Sequence, residues 1–530
     1  MDSPDLYAAV APFPERFNLC DYFLDHNLSR GRADKVALIA GDERRTYAQV
    51  AERARRVAAA LRRAGVRPEE RVLLVLPDGF EFAEAWFGIL RAGGVFAMVN
   101  PLLKRADYEY YLAYTRARVA IVHADVLPEL GPAARAARLC ERVLVVGGDP
   151  GGFTAYEDAL AAEDPDSELA ELEPTGPDDL AGWLFTSGST GKPKACVHAH
   201  ADFAWNTETY ALSVVGYSEE EVCLSVPKLF FGYATGTNLM FPFRAGGTAV
   251  LFPGRSTPDE LFDQIAAHRP TLLTSVPTTI GAMLRSERMA AADLSSLRVC
   301  LSAGEALPPK LYQEWKDRTG VEILDGIGSA EMFHIYVTNY PGDVKLGSLG
   351  RVVPGYEAVV VDPDGQPVPD GEPGRLRVRG GSTALCYWAD RAKSRETFQG
   401  EWCTSADVFR RDSEGYYYYE GRSDDLLKVS GIWTSPLEIE NTLLEHPAVA
   451  EVCVVGREDG DGLTKPLAFV VLAAGFEGGE ELAAALKAHV KDRLAPHKYP
   501  RWFEWRPSLP KNDRGKVARK LLRAELEAGA

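Results

Sequence analysis

Along the first third of the chain, apolar residues recur with two alternating patterns. Tyr47, Val50, Ala51, Ala54, Val57, Ala58 and Leu61 follow helical spacing, so a helix with one apolar face is predicted there. Thr46 followed by Gln49 forms a capping box at its start, and Gly65 is placed to end it. Residues 72–76 then make an unbroken apolar run before Pro77, which suits a strand buried on both faces. A second helix is expected over Phe80–Arg91, stopped by Gly93 and Gly94. Short apolar runs return at 120–122, 143–146, 272–276 and 299–301. This alternation predicts an α/β chain with largely parallel sheets.

From about residue 345 the texture changes. Turn residues crowd together in VDPDGQPVPDGEPGRLRVRGG between short alternating runs, predicting an antiparallel β region. Beyond 421–425, residues 450–455 and 467–472 read as strands and 480–494 as a helix, enough for a small α+β lobe. The expected division is a large domain of mixed α/β sheets plus a β subdomain over 1–423, and a small domain over 424–530.

Composition narrows the function classes. The chain has 530 residues, 46% of them hydrophobic and 25% charged, which fits several globular domains and excludes disorder or coiled coil as the main state. A net charge of −17 argues against general binding to nucleic acid or an anionic membrane. The tail departs from this balance: residues 481–530 carry 12 Lys/Arg against 6 Asp/Glu. That is either a solvated helical face or a lid that meets polyanions. Eight cysteines without a C-x-x-C pair suit reduced thiols in the cytoplasm rather than disulfides or a zinc cluster. No signal-peptide core and no uninterrupted apolar run of membrane length is read.

Candidate chemistry concentrates in LFTSGSTGKPK, residues 184–194. Gly188 and Gly191 allow a tight turn with inward N–H groups. Thr186, Ser187, Ser189 and Thr190 add hydroxyls, and Lys192 and Lys194 add charge. Such a loop can cradle a polyphosphate. It is not a Walker loop, because Pro193 follows Lys192 and disfavours the helix that loop requires.

This string resembles the signature loop of the acyl-adenylate-forming enzymes, which include acyl- and aryl-CoA ligases, carrier-loading adenylation domains and beetle luciferases. The similarity runs from about Phe17 to Leu526 and leans to the benzoate-CoA ligases through FNLCDYFLDHNL, KLFFGYATG and DGIGSAEMFHIY. It implies ATP, Mg²⁺ and coenzyme A as co-substrates or cofactors, an aromatic carboxylic acid as substrate, and a monomer or homodimer. By the same resemblance, Gly304 and Glu305 lie beside the adenine, as do Asp325, Gly326 and Ile327. Gly328 and Ser329 lie near the carboxylate and phosphate, and Glu331 holds Mg²⁺, although taken alone it reads as a solvated acid. Asp407 would accept from the ribose hydroxyls, and Arg422 would reach the ribose or α-phosphate. Asp424 would be the hinge of a mobile lid domain, Gly431 would line the pantetheine channel, and Lys516, after Gly515, would be the catalytic lysine. Gly232, Tyr233, Ala303, Gly328, His334 and Ile335 would form a flat aromatic slot, with Gly232 standing where benzoate ligases often have Ala; His334 alone could equally be structural. Two departures stand out: Ala330 replaces the usual Thr and Ala406 the usual Gly. The expected activity is an ATP-dependent aryl-CoA ligase working through acyl-AMP. A stand-alone carrier-loading adenylation enzyme and a non-catalytic nucleotide binder remain as alternatives.

Overall fold

The computed structural model describes residues 6–187, 192–422, 427–429, 432–459, 463–511 and 517–528. The helix over Tyr47–Arg63 starts at the expected capping box. Gln49 N–H donates to Thr46 Oγ1 at 3.3 Å and Thr46 N–H to Gln49 Oε1 at 2.8 Å. The second helix spans Phe80–Arg91 as expected.

Two large sheets carry the fold. Among the described residues, the first has nine strands. Its parallel centre runs in space from Val36–Ala40 through Thr248–Leu251, Val222–Ser225, Leu272–Ser275 and Val299–Ala303 to Glu322–Gly328. Antiparallel strands close both edges. The second has eight strands, with Arg71–Val75, Val95–Met98, Val119–His123 and Arg142–Val146 parallel at its centre. Its far side is an antiparallel set, Leu180–Ser187, Pro193–Ala199 and Cys386–Tyr387. Gly182 lets two of these strands sit close: a Cβ there would stand 2.1 Å from the Phe96 ring. One hydrophobic core joins residues of both sheets, with Trp86, Phe87 and Phe203 fully buried in it.

The β region expected after residue 345 is antiparallel. Tyr356–Val361, Pro373–Gly380, Trp402–Arg411 and Tyr417–Arg422 pair in that order. Beyond it, Val449–Glu458 and Thr464–Leu472 form an antiparallel pair joined in parallel by Trp502–Trp505. Leu427, Ile439, Val454 and Leu486 belong to a separate core under this small sheet. The helix expected over 480–494 is shorter, Glu480–Lys491. Its end tightens, with Arg493 N–H and Leu494 N–H both turning back to the Val490 carbonyl before Pro496, where a helix cannot continue. Among the described residues, no helix is long and apolar enough to cross a membrane.

Candidate active site

In both large sheets the carboxyl ends of the central strands open on one cavity of 1460 Å³. Residues just past Val95–Met98, Val119–His123, Val222–Ser225, Thr248–Leu251 and Val299–Ala303 all line it. Ligands in α/β sheets bind at these strand ends because the chain there is free to turn and present backbone groups.

One corner of the cavity is built on the hairpin around the phosphate-loop motif. Thr186 pairs with Lys194, and Ser187 with Pro193. Gly188, Ser189, Thr190 and Gly191 lie outside the described residues. The helix Arg105–Thr115 grips the returning strand. Tyr110 Oη donates to the Pro193 carbonyl at 2.6 Å, and Tyr114 Oη accepts from Ala195 N–H at 3.2 Å while donating to the Trp388 carbonyl at 2.7 Å. Thr186, Lys194 and Glu331 all reach the cavity here. Lys194 Nζ lies 3.9 Å over the Tyr387 ring, and Tyr387 Oη donates to Glu331 Oε1 at 2.6 Å. His198, fully buried, donates from Nε2 to the Ala330 carbonyl at 2.7 Å and meets Asp202 through Nδ1 at 2.8 Å.

The residues expected to form an aromatic slot come together on the wall of the same cavity. Gly232, Tyr233, Ala303, Gly328, His334 and Ile335 line it. Gly328 tolerates no side chain, since a Cβ would meet the His334 carbonyl oxygen at 2.5 Å. The carbonyl of Tyr233 can only accept, so His334 donates to it from Nε2, at 3.0 Å. Burial lowers the His334 imidazole to about 4, so it is neutral at physiological pH. Its ring packs against Tyr210, Tyr233 and Phe241. His334 is therefore both part of the cavity wall and a structural brace.

Gly304, Glu305, Gly326, Ile327 and Ser329 line another stretch of the wall, and Asp407 faces the cavity from the β region, in register with Arg422. Glu305 is held by Thr278, whose N–H and hydroxyl donate to Oε2 at 3.1 and 2.8 Å. Asp325 departs from its neighbours. It does not line this cavity but lies 4% exposed between strands, beside Ser302 and Asn339. Depth along the strand separates them: Gly326, Ile327 and Gly328 lie at the carboxyl end that opens on the cavity, whereas Asp325 pairs with Ser302 one step further in. Burial pushes its carboxyl up to about 8. Asp424, Gly431 and Lys516 lie outside the described residues.

Many wall residues had no role in the sequence reading, and three of them bear on the charge and hydrogen bonding of the site. Tyr387 is one. Asp78, 3% exposed, accepts from Leu229 N–H at 2.8 Å and is pushed up to about 6 by burial. Lys228, lowered to about 8 by burial, donates to the Phe252 carbonyl at 2.8 Å. Lys228 opens the KLFFGYATG segment, the one signal that pointed near it; Asp78 and Tyr387 are brought in by folding.

The sequence pattern described as "AMP-binding enzyme" matches residues 24–388, and that described as "AMP-binding enzyme C-terminal domain" matches 438–516. The chain belongs to the AMP-binding enzyme family. Among curated members it is 44% identical to the benzoate–CoA ligase of Thauera aromatica over 96% of both chains. It is 41% identical to the 4-hydroxybenzoate–CoA/benzoate–CoA ligase of Rhodopseudomonas palustris, over 96% of this chain and 94% of that one. Among solved members, the anthranilate CoA ligase AuaEII in complex with anthranoyl-AMP superposes with a TM-score of 0.92 at 40% identity, covering 98% of this chain and 99% of that one. A benzoate CoA ligase from Burkholderia xenovorans superposes with 0.88 at 43%, covering 96% and 100%. The family's large-plus-small architecture is thus the architecture of this chain.

The buried Asp325 carries a pH signature. Between its ordinary 3.8 and the folded value of about 8, the native state holds a proton that the unfolded state has lost. Its contribution to stability therefore falls as pH rises through that window and is level above it. Asp325→Asn keeps the neutral shape, so its melting temperature relative to wild type should climb from pH 5 to pH 8. A difference constant across that range would show that Asp325 ionises normally in the fold.

Proposed function

We propose that this AMP-binding enzyme is an ATP-dependent aryl-CoA ligase, joining a benzoate-type acid to coenzyme A through an aryl-adenylate. One observation carries the reading: the slot walled by Gly232, Tyr233, Gly328 and His334 shares a single cavity with the Thr186–Lys194–Glu331 corner. An aromatic ring in the slot has a phosphate-binding corner within the same enclosure. The cavity's 1460 Å³ exceeds the roughly 300–1,000 Å³ of common small-ligand pockets, which suits a nucleotide, an acid and a thiol arm together. The named activities of the relatives agree with this reading.

In the first half-reaction the carboxylate attacks the α-phosphorus of ATP, and pyrophosphate leaves as AMP is joined to the acid. Thr186, Lys194 and the phosphate-loop residues Ser187, Gly188, Ser189, Thr190 and Gly191 would orient the phosphates. Gly304, Glu305, Gly326 and Ile327 would face the base, Ser329 the new acyl phosphate, and Asp407 and Arg422 the ribose. A hard cation takes oxygen ligands from one or two carboxylates plus phosphates, and the Glu331 carboxylate, held by one oxygen and open to the cavity, fits that need. Magnesium bound there would supply charge neutralisation to the phosphate oxygens. Lys516 would bring a cation to the α-phosphate as charge builds in the transition state.

In the second half-reaction the thiol sulfur attacks the adenylate carbonyl, its proton is released, and AMP leaves. The boundary at residues 423 and 424 would let the small domain turn about Asp424, withdrawing Lys516 and bringing Gly431 to the thiol channel. The separate core of the small sheet supports such a body. All eight cysteines are free thiols, which suits a cytoplasmic enzyme acting as a monomer or homodimer.

Two variants test the reading. Lys516→Ala should lower aryl-adenylate formation at least ~100-fold, in line with removal of one preorganised transition-state donor. It should largely spare thioester formation from supplied aryl-adenylate; equal loss of both half-reactions contradicts the role. At Gly232, an added methyl would stand 3.4 Å from Leu184, an ordinary contact, so Gly232→Ala fits and narrows the slot. Its preference for benzoate over hydroxy- and aminobenzoates, read as the kcat/KM ratio, should rise about 10-fold or more. An unchanged ratio would place the ring elsewhere.

A further inference from the structure

We propose that Tyr387 is a positioning residue that holds Glu331 and Lys194 apart, so that the carboxylate can take a cation and the ammonium can take phosphate. This rests on the role assigned to Glu331 above. Tyr387 lies in the short strand Cys386–Tyr387, in register with Cys196 and hence close along the partner strand to Lys194. Its backbone is tied down: Tyr387 N–H donates to Ser394 Oγ at 3.0 Å, and Trp388 N–H to the Ala195 carbonyl at 2.9 Å.

From this fixed frame the side chain does two things. Its hydroxyl donates to Glu331 Oε1 at 2.6 Å. Its ring face carries Lys194 Nζ at 3.9 Å, a cation–π contact. The main chain of Glu331 is held as well, its carbonyl accepting from Ala384 N–H at 2.8 Å and the preceding Ala330 carbonyl accepting from His198 at 2.7 Å. Glu331 Oε2 is the oxygen left over. Ala330 offers no hydroxyl of its own.

The consequence is electrostatic. Lys194 and Glu331 carry opposite charges in one partly buried corner, where a direct ion pair would be favourable and would cancel both. The aromatic ring gives the ammonium an alternative seat that leaves its charge intact. Residues that orient a metal-bearing ligand through a hydrogen bond are worth about 10–100-fold in metal affinity.

The test uses the full-length enzyme with ATP and Mn²⁺ as the probe, bound metal being read by electron paramagnetic resonance. Tyr387→Phe keeps the ring and loses the hydroxyl. It should weaken Mn²⁺ binding in the ATP complex about 10-fold, while leaving the aryl-acid dissociation constant and melting temperature near wild type. Tyr387→Leu removes both contacts and should weaken Mn²⁺ and ATP binding further. In a Glu331→Gln background, Tyr387→Phe should add little, because the two act as one unit. Wild-type Mn²⁺ affinity in Tyr387→Phe, or an equal loss of aryl-acid binding and melting temperature, would overturn the proposal. If Glu331→Gln itself left Mn²⁺ binding unchanged, the role of Glu331 would fall and this inference with it.

Discussion

A carboxylate approaching a triphosphate meets several negative charges at once. Two unit charges 4 Å apart interact by about 4 kcal/mol even at an effective dielectric constant near 20, and at this site they repel. Positive charge and hydrogen-bond donors have to be in place beforehand, because reorganising them during reaction would raise the barrier. Yet a cavity walled by apolar strands penalises any charge left without a partner. In the proposed corner of Lys194, Tyr387 and Glu331, the lysine rests on a ring and the carboxylate on a hydroxyl, an arrangement that would meet both demands.

The fold makes this arrangement by letting two sheets end at one place. The second sheet delivers Thr186 and Lys194 from its antiparallel hairpin. The first delivers Ala303, Gly304 and Gly328 from the carboxyl ends of neighbouring strands. Asp407 arrives from the antiparallel region that follows. Gly182 and Gly328 are two points of close approach: side chains there would collide with the Phe96 ring and the His334 carbonyl. The cavity wall is shaped by backbone proximity as much as by the side chains that line it.

Much of this was legible in the chain. Helical spacing, the Thr46–Gln49 box and the short apolar runs marked the α/β layers, because each is a local signal tied to a local hydrogen-bond pattern. The phosphate-loop string and the DGIGSAE segment marked two stretches of the cavity wall, Leu184 to Thr186 with Lys194, and Gly326 to Glu331, for the same reason. Asp325 shows what a motif leaves open: its neighbours Gly326 and Ile327 line the cavity, while its carboxyl is buried one step further from the strand's carboxyl end, and a string does not say how deep each residue sits. Tyr387 shows the opposite failure. It sits far from Lys194 and Glu331 in sequence, and only strand pairing brings its ring and hydroxyl between them. Asp78 is similar, an acid following Pro77 that becomes a buried partner of the Leu229 amide only after folding. Glu480–Lys491 ended early because its last turn tightened before Pro496, a boundary effect that periodicity does not register.

The most direct measurement is exchange of labelled pyrophosphate into ATP by the purified full-length chain with Mg²⁺, run with benzoate, hydroxybenzoates and aminobenzoates in turn and repeated with no acid. Exchange is expected only when an aryl acid is present, with AMP accumulating once coenzyme A is added. Absence of acid-dependent exchange across that panel would contradict the reading of this cavity as the place where an organic anion is joined to AMP.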